Sequence, residues 1–317
     1  MAYIDVFNGD ADGICALHQL RLANPVKSQL VTGVKRNINL LQDLQVESGD
    51  EVTVLDISLD KNREGLLRIL QAGARVQYFD HHFAGEIPVH DALQTHIDTD
   101  ANMCSSLLVN ESLNGQFLAW AVTAAYGDNL YAAAEQAAQP LKLDHTQLEQ
   151  LKLLGTCINY NGYGASLDDL IFTPDNLFQM VKPYRNPFDF IQNEPGYKML
   201  LDGYQMDMQQ ALSLKSQYTD NGHALYVLPE AKWARRVGGV FANDLAQNNP
   251  ARAHALLTEK KDGGFLVSVR APMNNKTGAD ELCRQFETGG GRKAAAGINH
   301  LPVDQHDAFL EAFRQAF

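Results

Sequence analysis

The chain is short of cysteine, of long apolar runs and of positive charge, and each shortage removes a class of protein. Cys15, Cys104, Cys157 and Cys283 are the only cysteines in 317 residues. They lie far apart without a C-x-x-C pair, which argues against a disulfide framework or a structural zinc site and predicts buried free thiols. No apolar run reaches the ~18 residues needed to span a bilayer, and Asp5 and Asp10 come too early for the apolar core of a signal peptide. A soluble, cytoplasmic protein without a membrane partner is expected. A net charge of −12 argues against a clamp for long duplex DNA or for an anionic membrane surface.

With 45% of its residues hydrophobic, the chain is long enough for two domains, each with its own core. Charge divides it in the same way. Residues 1–222 hold 14 Lys and Arg against 28 Asp and Glu, whereas residues 223–317 hold 12 against 10. An acidic first part and a mildly basic second part suggest a cation site paired with an anion site.

Short strand-like runs, "YIDVF", "SQLVTG", "EVTVLD" and "RVQYFD", alternate early with helix-like runs, "ADGICALHQLRLA" and "KNREGLLRILQAG". This alternation predicts a parallel sheet with helices on both faces. From about residue 107 to 154 the pattern is helical, and "TPDNLFQMVKPYRNPFDF" then interrupts the periodicity. "GYKMLLDGYQMDMQQALSLKSQYT" reads as a long helix. The strands "ALYVLP" and "GFLVSVRAP", with helices near 236–247, 279–286 and 305–316, form a smaller α/β unit. The expected organisation is a first domain over 1–190, a connecting helix over 191–222 and a second domain over 223–317, with a cleft between the domains. No internal repeat or low-complexity tract is evident.

Acidic and histidine residues gather at the carboxyl ends of the early strands: Asp10 and Asp12 after the first, Asp56 at the end of "EVTVLD", and Asp80, His81 and His82 at the end of "RVQYFD". Asp128 follows a helical run in "AAYGDN". Ligands of open parallel sheets bind outside the carboxyl ends of the strands. A single Asp there is ordinarily a helix cap or turn former, but an ordered set makes one strongly acidic rim. Carboxylates crowded on such a rim need protons or cations. Oxygen and nitrogen donors without thiolate suit Mn²⁺ or Mg²⁺.

"NGDADG", "LDIS", "FDHH" and "AAYGDN" resemble the first four motifs of the DHH phosphoesterase superfamily. "SVRAP" and "FETGGGRKAAAG" resemble the arginine strand and glycine-rich signature of the DHH-associated C-terminal domain, so the resemblance covers nearly the whole chain. It implies a bridge between two metals at Asp56, the first metal on Asp10, and the second on Asp12, His81 and Asp128. His82 would lie nearer the phosphate, with Asp80 orienting the histidine pair. Mn²⁺ is the implied ion, with two bound, and Mg²⁺ or Co²⁺ are substitutes. Two such ions activate a water that attacks phosphorus in line.

Two positions depart from the family pattern. Asn8 stands where many members have His or Asp, so the first metal is expected to bind more weakly. Arg292 stands where His commonly follows the glycine triplet, which makes it an anion contact instead of a proton donor.

Gly289, Gly290 and Gly291 read either as a helix stop or as a backbone cradle for phosphate. Arg270, at a strand end, reads either as a surface salt-bridge partner or as a fixed fork for an anion. Arg235 and Arg236, beside Trp233, either add positive charge or simply open a solvated helix, and Ser105 or Ser106 reads as a helix cap.

The expected activity is metal-dependent hydrolysis of short oligoribonucleotides or linear dinucleotides of the pGpG or pApA type to 5′-mononucleotides. The alternatives are a phosphatase of 3′-phosphoadenosine 5′-phosphate, a cyclic-nucleotide phosphodiesterase, a single-strand exonuclease and a non-catalytic nucleotide sensor. A homodimer is the base-rate expectation for oligomeric state.

Overall fold

The computed structural model describes residues 1–317, which divide into two compact units, Met1–Asp202 and Gly203–Phe317.

The first unit is built on five parallel strands in the order β2-β1-β3-β4-β5: β1 (Tyr3–Phe7), β2 (Ser28–Thr32), β3 (Glu51–Leu55), β4 (Arg75–Asp80) and β5 (Leu93–Ile97). Alternation along the strands sends Ile4, Val6, Val52, Val54, Val76 and Tyr78 to one face. There they pack with Leu59, Leu66, Ile69 and Leu70 of α2 (Leu59–Gln71). The opposite face carries α1 (Ala11–Ala23), which is buried on nearly all sides because its sequence has almost no polar stripe.

Around α1 stand α3 (Ser105–Ser112), α4 (Leu118–Gly127) and α6 (His145–Gly162), and α5 (Tyr131–Ala138) packs on α4. The helical stretch expected from residue 107 onward is broken at Asn114 and Gly115, both with positive φ, before α4 begins. α6 starts on a capping box in which Asp144 accepts from the Gln147 amide and the Gln147 side chain accepts from the Asp144 amide. α4 and α6 approach through Gly155, where an added Cβ would lie 2.1 Å from the Thr123 carbonyl oxygen.

The segment expected to interrupt the pattern in fact forms α7 (Pro174–Val181) and α8 (Pro187–Asn193), each with proline in its first turn. Proline is tolerated there because the first amides of a helix have no partner within it. α9 (Pro195–Leu212) follows, within the range expected for the connecting helix but ending ten residues before 222; β6 (Tyr218–Thr219) already belongs to the second sheet.

The second unit has six mixed strands in the order β10-β11-β9-β8-β7-β6. β7 (His223–Leu228), β8 (Ala253–Glu259), β9 (Phe265–Arg270), β10 (Gly289–Arg292) and β11 (Ala295–Leu301) complete it, joined by α10 (Lys232–Asn248), α11 (Ala279–Cys283) and α12 (His306–Ala316). Ala253, Ala255, Leu257, Val267, Val269 and Ile298 face Phe309 and Phe313 of α12 in one core, leaving the alternate residues on the α10 side. β5, β8, β10 and β11 were not expected from the sequence. All four cysteines are buried and free, and no helix is long and apolar enough to cross a membrane.

One buried ion pair ties the first sheet to its central helix. Asp5 of β1 is fully buried and accepts from Arg21 of α1 at 2.8 and 2.5 Å and from the Ser28 hydroxyl at 2.6 Å. Arg21 also donates to the Thr53 hydroxyl at 3.1 Å. Removing one partner leaves an uncompensated charge in the interior. Arg21→Met is therefore expected to lower the unfolding free energy by about 3–5 kcal/mol, measured by urea denaturation.

Candidate metal centre and anion-binding face

β1, β3 and β4 are neighbours and run parallel, so their carboxyl ends deliver Asp10, Asp56 and Asp80–His82 to one edge of the first sheet. Asp10 is the N-cap of α1: its Oδ1 accepts from the amides of Asp12 and Gly13 at 3.0 and 3.1 Å. Asp56 follows β3 with φ of +58°, a left-handed conformation that costs a residue with a Cβ about 1–2 kcal/mol. Its amide donates to the Phe79 carbonyl at 3.0 Å, which holds the turn and directs the carboxylate onto the rim. Asp128 caps the C-terminal end of α4.

Asp56, His81 and His82 each place one ligand atom so that the three lie within 4.8 Å of one another. His81 Nε2 is 3.4 Å from Asp56 and 3.7 Å from Asp128. His82 Nδ1 is 2.7 Å from Asp80 Oδ1, so Asp80 orients His82 in particular. Asp12 is held differently: its two oxygens accept from the Ser105 and Ser106 amides at 2.7 Å each. The expected serine cap is thus corrected. Cys104 occupies the N-cap position of α3 without a side-chain bond, and Asp12 satisfies the helix end across the fold. The Ser105 hydroxyl donates to Asp56 at 3.1 Å, and the Ser106 hydroxyl donates to the Asp12 carbonyl at 2.9 Å.

The electrostatics register the crowding. Burial, together with the charges of Asp12 and Asp10, pushes the Asp56 carboxyl well above the usual carboxylate range. Burial pushes Asp10 the same way, but the ammonium of Lys35 outweighs it and holds Asp10 below its ordinary value. Burial would lower His82, yet its hydrogen bond to Asp80 and the Asp56 charge raise it.

Lys35, two residues beyond Gly33 at the end of β2, was not singled out from the sequence. Its position at a strand's carboxyl end was the available signal. Asn8 is 4% exposed and its Oδ1 has no hydrogen-bond partner. Carboxylate and imidazole donors without thiolate, an acid raised by burial and like charges and an orphaned amide oxygen together fit a hard divalent cation.

In the second unit the glycine triplet is neither a helix stop nor a loop. Gly289–Arg292 is the edge strand β10, paired antiparallel with β11. Register places Arg292 opposite Ala295, Ala295 opposite Arg270, and Arg270 opposite His254. These residues share one face in a cross-strand row, with the two arginines about 9–10 Å apart by strand spacing. Between them Ala295 presents only a methyl group.

Gly290 pairs with Gly297 on the same face, and an added Cβ at Gly290 would meet nothing within 4 Å. At Gly291, φ is +140° and a Cβ would meet Ala296 at 2.5 Å, so that glycine is required by the fold. Arg270 donates from Nε to Asn243 of α10 at 2.8 Å. His254 is pushed down to about 4 by burial and the Arg252 charge, so at neutral pH the row's charge comes from its arginines. Arg235 pairs with Glu230 at 2.7 Å and Arg236 with Asp207 at 2.8 Å. Both lie in the second turn of α10 instead of opening it.

A five-stranded parallel sheet with an acid–histidine rim and a smaller mixed-sheet unit define a two-domain α/β fold. Solved structures of the same fold include the exonuclease RecJ bound to manganese (16% identity over 99% of this chain and 89% of that one, TM-score 0.63). The pGpG-specific phosphodiesterase PggH of Vibrio cholerae is similar over 100% of this chain and 99% of that one, at 15% identity and TM-score 0.56. RecJ of Thermus thermophilus in complex with Mn²⁺ matches at 16% identity and TM-score 0.61, over 99% of this chain and 51% of that one. By sequence, the chain matches no family model and no curated protein.

Because Asp12 is the acceptor for two buried amides of α3, Asp12→Ala is expected to destabilise the metal-free protein. The cost is about 1–3 kcal/mol for each stranded group. An unchanged urea midpoint would show that the helix end finds other acceptors.

Proposed function

We propose that the protein is a divalent-metal-dependent phosphodiesterase that cleaves short oligoribonucleotides or linear dinucleotides of the pGpG or pApA type to 5′-mononucleotides. The observation that carries this reading is the meeting of Asp10, Asp56, His81 and His82 on one sheet edge, with Asp12 and Asp128 beside them. Fold likeness supports it: RecJ is an exonuclease solved with manganese, and PggH is specific for pGpG.

In this reading Asp56, His81 and His82 hold one Mn²⁺, and Asp10, with the orphaned Asn8 oxygen, forms the side for a second. Asp12 and Asp128 border both. Bound divalent ions supply Lewis acidity at phosphoryl oxygens and a source of hydroxide near neutral pH. Asp80 holds the ring of His82 through Nδ1, which lies 3.9 Å from Asp56, and His82 would contact either the ion or a phosphoryl oxygen.

Arg270, held by Asn243, and Arg292 supply guanidinium forks for a phosphate or another anion of the substrate. The open surface at Gly290 lets that anion approach the backbone. Arg235 is engaged by Glu230, so its charge is already paired and it is a weaker candidate for an anion contact. A substrate with several separated anionic groups uses both arginines. Pyrophosphate alone would not, and long nucleic acid would meet the acidic excess of residues 1–222.

Product analysis with Mn²⁺ and 5′-phosphorylated substrates of two to ten nucleotides tests the proposal. Conversion of dinucleotides to two mononucleotides is expected; inorganic phosphate would instead identify a phosphomonoesterase, and stepwise shortening of the longest substrates an exonuclease. Dinucleotides left intact for hours would defeat the specific form proposed.

Two variants probe the roles. Asp56→Ala is expected to lower kcat by about three orders of magnitude or more, because it removes the central ligand. Arg292→Ala should raise KM about tenfold with a smaller effect on kcat, as loss of a binding contact does.

A further inference from the structure

The ammonium of Lys35 sits inside the carboxylate cluster, not at its margin. Nζ lies 2.5 Å from Asp10 Oδ2, 2.8 Å from Asn159 Oδ1 and 3.4 Å from Asp128 Oδ1, which accounts for all three of its donors. Its backbone is fixed on both sides: its amide donates to the Gly162 carbonyl at 2.8 Å, and its carbonyl accepts from Asn8 Nδ2 at 3.3 Å. The side chain is 22% exposed. Lys35 is thus held in place by three separate segments of chain.

The rim is asymmetric in the same sense. On one side Asp56, His81 and His82 bring three ligand atoms together without a competing cation. On the other side Asp10 is already neutralised by Lys35, and the neighbouring amide oxygen of Asn8 is buried without a partner. A neutral donor at Asn8 adds no charge to hold a second divalent ion there, and a fixed ammonium beside Asp10 repels one.

We propose that Lys35 is a tethered cation that takes the Asp10–Asp128 side of the cluster. It makes the two sides unequal, so that a divalent ion binds at Asp56, His81 and His82 with Lys35 in place and binds at Asp10 only when Lys35 is displaced. Lys35 is a positioning residue in this account. The inference rests on reading the cluster as a metal centre, but not on the identity of the substrate.

The test is a Mn²⁺ titration of the metal-stripped full-length protein by calorimetry, with free Mn²⁺ counted by electron paramagnetic resonance. Wild type is expected to take one tight equivalent and a second at least about tenfold weaker. Lys35→Met, which keeps length and removes charge, should strengthen the weak equivalent by about tenfold or more and leave the tight one nearly unchanged, whereas Lys35→Arg should keep the two apart. Asn159→Ala, which removes one anchor of the ammonium, should strengthen the weak equivalent by a smaller factor and serves if Lys35→Met does not fold without metal.

Two equal equivalents in wild type, or a weak equivalent unmoved in both Lys35→Met and Asn159→Ala, would overturn the role of Lys35. No Mn²⁺ binding in any variant would overturn it together with the metal centre. The expected two-step isotherm in a protein inert toward dinucleotides would support Lys35 and remove only the substrate reading.

Discussion

Electrostatic crowding at the carboxyl ends of β1, β3 and β4 is the constraint around which the first unit is organised. Parallel pairing in register leaves no choice about where Asp10, Asp56 and Asp80 emerge. Each carboxylate brought there without compensation would cost several kcal/mol of desolvation and repulsion. The fold answers with whatever positive character it can aim at the rim: the first amides of α1 on Asp10, the first amides of α3 on Asp12, and the ammonium of Lys35 on Asp10 and Asp128. Asp56 receives only the Ser105 hydroxyl and the neighbouring histidines, and burial with the charges of Asp12 and Asp10 drives it toward its protonated form.

This distribution gives individual carboxylates two duties. Asp10 caps its own helix with one oxygen and meets Lys35 with the other. Asp12 satisfies a helix that begins more than ninety residues later, so cluster and fold are coupled through the same atoms. Carboxylate oxygens have more than one lone pair, and a capped acid can still ligate a cation. Structural and metal-binding readings of these aspartates are therefore compatible.

The second unit arranges its charge by other means. Its edge strand carries glycine where side chains would crowd the surface, and its register aligns Arg292 and Arg270 on either side of Ala295. The positive character of the row comes from its two arginines, and the backbone at Gly290 is open.

Local periodicity and the ordered motifs made β1 to β4, α1, α2 and the acidic rim legible, since strand ends in a parallel sheet converge by topology alone. β5 and β10 escaped for a local reason: "LQTHI" and "GGGR" lack the apolar alternation that marks a strand, and only pairing with neighbours makes them extended. α7 and α8 were hidden by prolines, which read as breakers in sequence and serve as first-turn residues in the fold. The aspartates and histidines of the rim were determined by sequence because their chemistry and spacing are local. Which of them caps a distant helix, which faces Lys35, and that Arg270 and Arg292 form one row were decided by tertiary structure, because those relations depend on contacts between segments far apart in the chain.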